Sequence, residues 1–145
     1  MQNPDIQPDL MQRLRDQCGD VFEVIEDAWN APPAERLHET TPAAYVFLFQ
    51  EGPDRNSEPE TLCPRQRVTF VYAVHLVVSG AQFTGVSQSV RDALFGWCPT
   101  EQHEPMASRG GERIYGGQSP LGGLYIEYQQ RWSVDTWLRN NDPTA

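Results

Sequence analysis

The sequence contains no lysine, so its positive side-chain charge comes from arginine. The 11 basic residues stand against 20 acidic ones, which gives a formal net charge of −9. Binding to DNA or RNA through a general basic surface needs lysine and arginine to neutralise phosphates, and a strongly acidic domain repels them. The composition therefore argues against a non-specific nucleic-acid-binding protein.

Cysteine is scarce, and long apolar runs are absent. Cys18, Cys63 and Cys98 are an odd number with no CxxC pair, which argues against a disulfide framework and a structural zinc site. No apolar run approaches the ~18 residues that cross a membrane, and the polar start MQNPDIQPDL is not typical of a signal peptide. We expect a protein that stays in the cytosol without membrane contact unless a larger particle carries it out.

The motifs that usually carry catalysis are also missing. The chain has no G-x-S-x-G elbow and no glycine-rich phosphate loop, and neither His38 nor His103 has a second ligand at metal spacing. By elimination we interpret the chain as a structural or interaction domain that is not an enzyme and holds no cofactor or metal.

Two alternatives remain open from the residues. A small enzyme or ligand-binding module would require a pocket that gathers His75 with a carboxylate of the last strand, such as Glu127. A stacking platform for bases or sugars would require Trp97, Trp132 and Trp137 to share a surface, although their positions are more typical of a core or an interface.

Hydrophobic periodicity predicts two helices and five strands. The long strand Arg65–Ser79 is the strongest, because apolar residues at every second position from Val68 to Val78 share one face. The apolar run 45–49 predicts a central strand that is covered on both sides. The other elements are a helix over 8–18, a short strand over 21–25, a helix over 83–97, a strand around 112–115 and a last strand over 124–137.

These elements predict an α+β fold with two layers: a mainly antiparallel, four- to five-stranded sheet with both helices packed on one face. Residues 1–139 are expected to form a single domain, and 140–145 a flexible tail. The opposite sheet face would carry Arg67, Thr69, Tyr125, Glu127, Gln129 and Arg131. Such a mixed polar and aromatic face suits either solvent or a partner protein.

From Pro42 onward the chain resembles the tail-terminator family of long-tailed bacteriophages. The likeness covers about two-thirds of the chain and rests on the order of its motifs, whereas the first forty residues match only as a generic helix. The motifs are PAAYV at 42–46, RQRVT at 65–69, a helix ending in LFGWCP at 94–99, GGER at 110–113, GLYI at 123–126 and RW at 131–132.

The resemblance implies a structural virion protein at the head-proximal end of the tail, assembled in the host cytoplasm. Its partners would be further copies of itself in a hexameric ring, the tail-tube protein and a head-completion or connector protein. The ring would stop tail-tube polymerisation and offer a surface for head attachment, while DNA passes through it without specific binding. Another head–tail joining or minor tail role is the nearest alternative.

A ring needs head-to-tail contacts that close, and loops that reach neighbouring proteins. The proline-rich segment 51–64 and the segment 98–113 are the candidates, and arginine is enriched at interfaces. For any single charged residue, a solvated surface position is an equal alternative. The candidate interface residues are Glu51, Asp54, Arg55, Arg65, Arg67, Arg109, Arg113 and Arg131.

Overall fold

The computed structural model describes residues 5–53, 65–118 and 124–139. The order of the two helices and five strands along the chain is as the sequence predicts. Two short 3-10 helices, Ala28–Asn30 and Ala34–Glu39, lie between the first two strands. The elements are α1 (Gln7–Cys18), β1 (Val24–Asp27), β2 (Ala43–Pro53), β3 (Arg65–Ser79), α2 (Phe83–Leu94), β4 (Ala107–Gln118) and β5 (Leu124–Arg139).

The strands form one sheet in the order β1-β2-β3-β5-β4. β1 and β2 are parallel, and every other neighbouring pair is antiparallel. Both helices cover the same face, so the α+β fold with a mainly antiparallel sheet is confirmed. The long strand β3 lies in the middle because both of its sides find partners along most of its length.

The main core lies between the helices and the sheet. Alternate residues of β3 from Val68 to Val78 enter it, as their period of two predicts. Leu10, Leu14 and Cys18 are buried along one stripe of α1, and Val86, Val90 and Leu94 along α2. Burial raises the pKa of the Cys18 thiol above its ordinary value.

Polar side chains link the layers across this core. Gln130 of β5 is buried and donates to Ser87 Oγ of α2 over 2.8 Å, while its carbonyl oxygen accepts from the indole N–H of Trp132 over 3.1 Å. Arg13 of α1 donates to the Ala93 carbonyl of α2 over 2.9 Å. Because buried polar groups are costly unless they are bonded, these contacts hold the helices in one position on the sheet.

One strand prediction is wrong in part. β2 is covered on both sides only over its first half, where Ala43, Ala44, Tyr45 and Val46 are buried. Leu48 and Phe49 are 40% and 42% exposed. Apolar side chains alone could not reveal that the neighbouring strand β1 ends after four residues and leaves the second half of β2 at the edge.

Several boundaries also differ from the predictions. β1 begins three residues later than predicted, β4 is twelve residues long instead of four, and α2 ends at Leu94. Gln82, not Thr84, is the N-cap residue of α2. Gly96 stops this helix as predicted, with a φ of +78° that favours glycine. Most of the predicted loop 51–64 and the predicted tail 140–145 lie outside the described residues.

Candidate assembly surface

The eight candidate interface residues do not form one cluster. Asp54 and Arg55 lie outside the described residues. Arg65 is the first residue of β3, and the structure describes its backbone but not its side chain. Glu51 lies on β2, Arg109 and Arg113 lie on β4, and all three are exposed. Arg67 and Arg131 are half-buried and pair with other parts of the chain.

The second half of β2 forms the first unpaired edge. β1 pairs with β2 only as far as Val46, so residues 47–53 run past its end. Among the described residues no strand lies next to 47–53 on that side. Glu51 projects from this segment on the helix-covered face, because it lies opposite the core residue Phe70.

An open groove borders this edge. Its volume is about 430 Å³, and its lining includes Trp29, Phe47 and Leu48. Trp29 lies in the 3-10 helix that follows β1, and its side chain is 93% exposed. Asp27 Oδ1 accepts from the Trp29 backbone N–H over 2.8 Å, which fixes this short helix at the end of β1. A large aromatic residue held in solvent beside an unpaired strand is typical of a protein-binding surface.

The outer side of β4 is the second unpaired edge. β4 pairs only with β5, and the described residues supply no strand on its other side. Arg113 points to the helix-covered face, since it lies opposite Tyr128, which packs edge-on against Phe83 of α2. Gly110, at φ +89°, lies in one of two irregularities along the strand. Ile114 and Tyr115 add apolar surface, with 45% and 51% exposure.

Arg131 lies on the sheet face opposite the helices and connects three strands. Its guanidinium carbon is 4.2 Å from the centroid of the Phe49 ring of β2, and Nη1 is 3.8 Å from a carboxylate oxygen of Glu112 in β4. Arg131 Nε also donates to Gln129 over 3.1 Å. These contacts stabilise the sheet itself.

Arg67 likewise pairs within the chain. It forms ion pairs with Glu104 and with Asp135, the second over 3.0 Å. The other carboxylate oxygen of Asp135 accepts from the Thr69 hydroxyl over 2.6 Å. This network borders a cavity of about 310 Å³ next to Trp137. Because two carboxylates surround one guanidinium, the network leaves no excess positive charge for an anionic ligand.

The His75 and Glu127 pair that an enzyme or binding module would need is formed. His75 Nε2 lies 3.0 Å from Glu127 Oε1 on the sheet face opposite the helices, which the 3-10 helix around Leu37 partly covers. Gln129 Nε2 approaches the other ring nitrogen at 3.4 Å. Both ring nitrogens therefore have neighbours within the sheet, as expected for a structural pair. In the described part of the chain, no group of three or more His, Cys, Asp or Glu side chains could hold a metal ion.

The three tryptophans of the stacking alternative do not share a surface. Trp132 is buried in the core, and Trp97 packs against the core beneath Arg13. Trp137 lies opposite Arg67 on β3 and lines the cavity beside it. Trp29, which the sequence reasoning missed, is the exposed one. Its neighbours Ala28 and Asn30 give no periodic pattern. The one sequence feature that could have indicated an exposed Trp29 is its position outside every predicted helix and strand. Phe95 and Leu124 were also missed, at 70% and 64% exposure.

Comparison with known proteins identifies the family. The family model described as phage tail terminator protein matches residues 3–139, nearly the whole chain. The chain belongs to the phage tail terminator family. It is therefore a structural protein of the phage tail, as the motif resemblance implied. A search of curated proteins found no match. Among the described residues, no helix is long and apolar enough to span a membrane.

Proposed function

We propose that this protein closes the head-proximal end of the tail. Copies of the chain form a ring, hexameric as the resemblance implies, that stops polymerisation of the tail tube and presents a surface for head attachment. The observation that carries the proposal is the family match over residues 3–139. The role is structural, with no catalytic step and no cofactor, and assembly takes place in the host cytoplasm.

The arrangement of the sheet supports a ring. A closed ring needs head-to-tail contacts, in which each copy uses two different surfaces. The described structure has two unpaired strand edges on opposite sides of one sheet, at β4 and at the second half of β2. Unpaired edges of this length are normally covered or blocked, because their free backbone groups can pair with another chain.

The candidate residues divide according to this geometry. Glu51, Arg109 and Arg113 lie on the two edges, and we assign them to contacts with neighbouring proteins. Arg67 and Arg131 hold strands together within the chain, so any interface role for them would be indirect. Asp54 and Arg55, which follow β2 in the sequence, and Arg65, the first residue of β3, remain proposed contacts.

The acidic composition agrees with a ring through which DNA passes. With a net charge of −9, the chain has few cations that could retain phosphates, so DNA can traverse the ring without specific binding. We further propose that residues 1–139 act as one domain, since both helices pack on a single sheet around one main core. The proposed protein partners are the tail-tube end and a head-completion or connector protein.

The experiment that tests this function is electron microscopy of particles made in cells that lack this gene. Tails of uncontrolled length without attached heads are expected, and a plasmid copy of the gene should restore normal tails. Tails of normal length that fail only to join heads would point to a head–tail joining protein instead. Complete virions would contradict both roles.

A further inference from the structure

We infer that consecutive copies of this chain join edge to edge, with β4 of one copy beside the second half of β2 in the next. Arg113 of one copy then lies opposite Glu51 of the next copy. This inference rests on the ring proposed above and specifies its subunit contact. Four observations support it: strand direction, the faces of the two charged residues, the length of the edges and their charge.

Strand direction allows the sheet to continue from copy to copy. Neighbours are antiparallel along the order β2-β3-β5-β4, so β4 runs opposite to β2. If the next copy has the same orientation, its β2 falls antiparallel to β4 of the first copy. Antiparallel pairing is the more stable arrangement per residue and keeps the helices of all copies on the same side of the joined sheet.

The two charged residues then meet on the same face. Glu51 lies opposite Phe70, and Arg113 lies opposite Tyr128, so both side chains project on the helix-covered side. Directly opposed side chains on an antiparallel pair have Cβ atoms about 4.5–5.5 Å apart, close enough for a guanidinium to reach a carboxylate. Both residues are exposed in the single copy.

Length and shape also fit. The exposed segment 47–52 spans about 20 Å at the rise of a strand, and β4 has twelve residues with which to cover it. Pro53 lacks a backbone N–H and ends the segment. With Arg113 opposite Glu51, Gly116 and Gly117 lie toward the end of the segment beside Trp29. The space beside these glycines holds the Arg113 guanidinium and the Tyr115 and Tyr125 rings of their own copy.

Charge favours this pairing over pairing of like edges. The only charged residue in 47–52 is Glu51, whereas β4 carries Arg109 and Arg113. The third charge of β4, Glu112, faces Arg131 of the same copy. Two β4 edges paired antiparallel about Gly111 would place Arg109 opposite Arg113, and directly opposed like charges are unfavourable across a strand pair. A head-to-tail contact therefore matches opposite charges.

Charge reversal of both residues tests the contact. In infected cells that produce two copies of the protein, one tagged, we would measure how much untagged protein the tagged copy captures. Glu51→Arg and Arg113→Glu should each lower self-capture by at least tenfold. Combining both changes in one chain should restore self-capture, because the reversed residues again form an Arg–Glu pair. Mixing the two single variants should also restore capture, because every contact between unlike variants then joins an arginine to a glutamate. Purified variants should show unaltered circular dichroism and thermal melting.

The matched control reverses charges away from both edges. Glu35→Arg and Arg91→Glu change exposed residues of the second 3-10 helix and of α2, and neither should alter self-capture. Single variants that self-associate normally, or a double variant as defective as the singles, would overturn the inference. Wild-type protein that fails to capture itself would also overturn it. Tail length in the gene deletion is a separate measurement, so the terminator function can hold while this contact fails.

Discussion

The guanidinium of Arg131 lies over the ring of Phe49, although the two residues belong to strands that are not neighbours. β3 runs between them, and the residue opposite both Arg131 and Phe47 is Ala73, which is fully buried. The methyl side chain of Ala73 leaves room for the arginine to reach across β3 to the ring, at 4.2 Å. This contact fastens the exposed second half of β2 to β5 without a strand pairing.

A double-mutant cycle should detect this contact as coupling between the two residues. Arg131→Met keeps the aliphatic stem, and Phe49→Leu keeps an apolar side chain, so each removes the cation–π interaction with little change in volume. We expect a coupling energy of about 0.5–1 kcal/mol in urea unfolding, because Phe49 is partly exposed. The exposed Arg91→Met should show no coupling to Phe49→Leu, and strictly additive effects for Arg131 would contradict the interaction.

The buried Tyr72 hydroxyl should be worth more than a surface hydrogen bond. It accepts from the Ile6 backbone N–H over 3.0 Å and donates to the Asp5 carboxylate over 2.9 Å, which ties the start of α1 to β3. Tyr72→Phe leaves the buried Ile6 N–H without this acceptor, so we expect a loss of about 1–3 kcal/mol in unfolding free energy. A loss below about 0.5 kcal/mol in urea unfolding would show that another acceptor replaces it.

The same hydroxyl predicts a loss of stability at alkaline pH. Burial raises the pKa of Tyr72 above its ordinary value near 10, and the neighbouring Asp5 adds to the rise. The neutral, buried Tyr72 hydroxyl therefore gives its full stabilisation below about pH 9. At higher pH this stabilisation is lost, because Tyr72 ionises more readily in the unfolded chain than in the folded one. Between pH 9 and pH 11 the stability difference between wild type and Tyr72→Phe should shrink by about 1.4 kcal/mol. Parallel curves for the two proteins in urea titrations would contradict the shifted pKa.

Two glycines should respond to alanine with opposite signs. Gly96 has φ +78°, so Gly96→Ala should cost about 1 kcal/mol although no atom lies within 4 Å of the added carbon. Gly85 lies inside α2 with equally open surroundings, and Gly85→Ala should stabilise by roughly 0.5–1 kcal/mol. Thermal and urea unfolding of the two variants measure the contrast, and a change of the same sign at both sites would contradict it.

The sequence predicts the parts of this fold that local patterns control. The bounds of β3 agree with the prediction because apolar residues occupy every second position from Val68 to Val78. Gly96 marks the end of α2 because its conformation needs glycine. The prediction for β4 is far too short, because its glycines lower strand propensity and pairing with β5 keeps them extended.

The candidate surface was less predictable than the fold. Arg67 and Arg131 are candidates because arginine is enriched at protein interfaces. In the structure Arg67 pairs with Asp135 and Arg131 lies over Phe49, so both stabilise the chain itself. Glu51 became a candidate as part of a loop, whereas it lies on an unpaired strand edge. Whether an edge is open depends on where the neighbouring strand ends, and the four-residue length of β1 has no local sequence signal.

Trp29 should matter for assembly and not for folding. Its side chain is 93% exposed, so Trp29→Ser should change the unfolding free energy by less than about 0.5 kcal/mol. If the groove beside Phe47 and Leu48 receives another chain, the indole is buried on assembly, and aromatic residues at such positions carry much of the binding energy. Capture of untagged by tagged protein in infected cells should therefore fall at least tenfold for Trp29→Ser, whereas Trp29→Phe should retain most of it. Unchanged capture for Trp29→Ser would mean that this tryptophan lies outside the subunit contact, and the groove would then be open to the tail-tube protein.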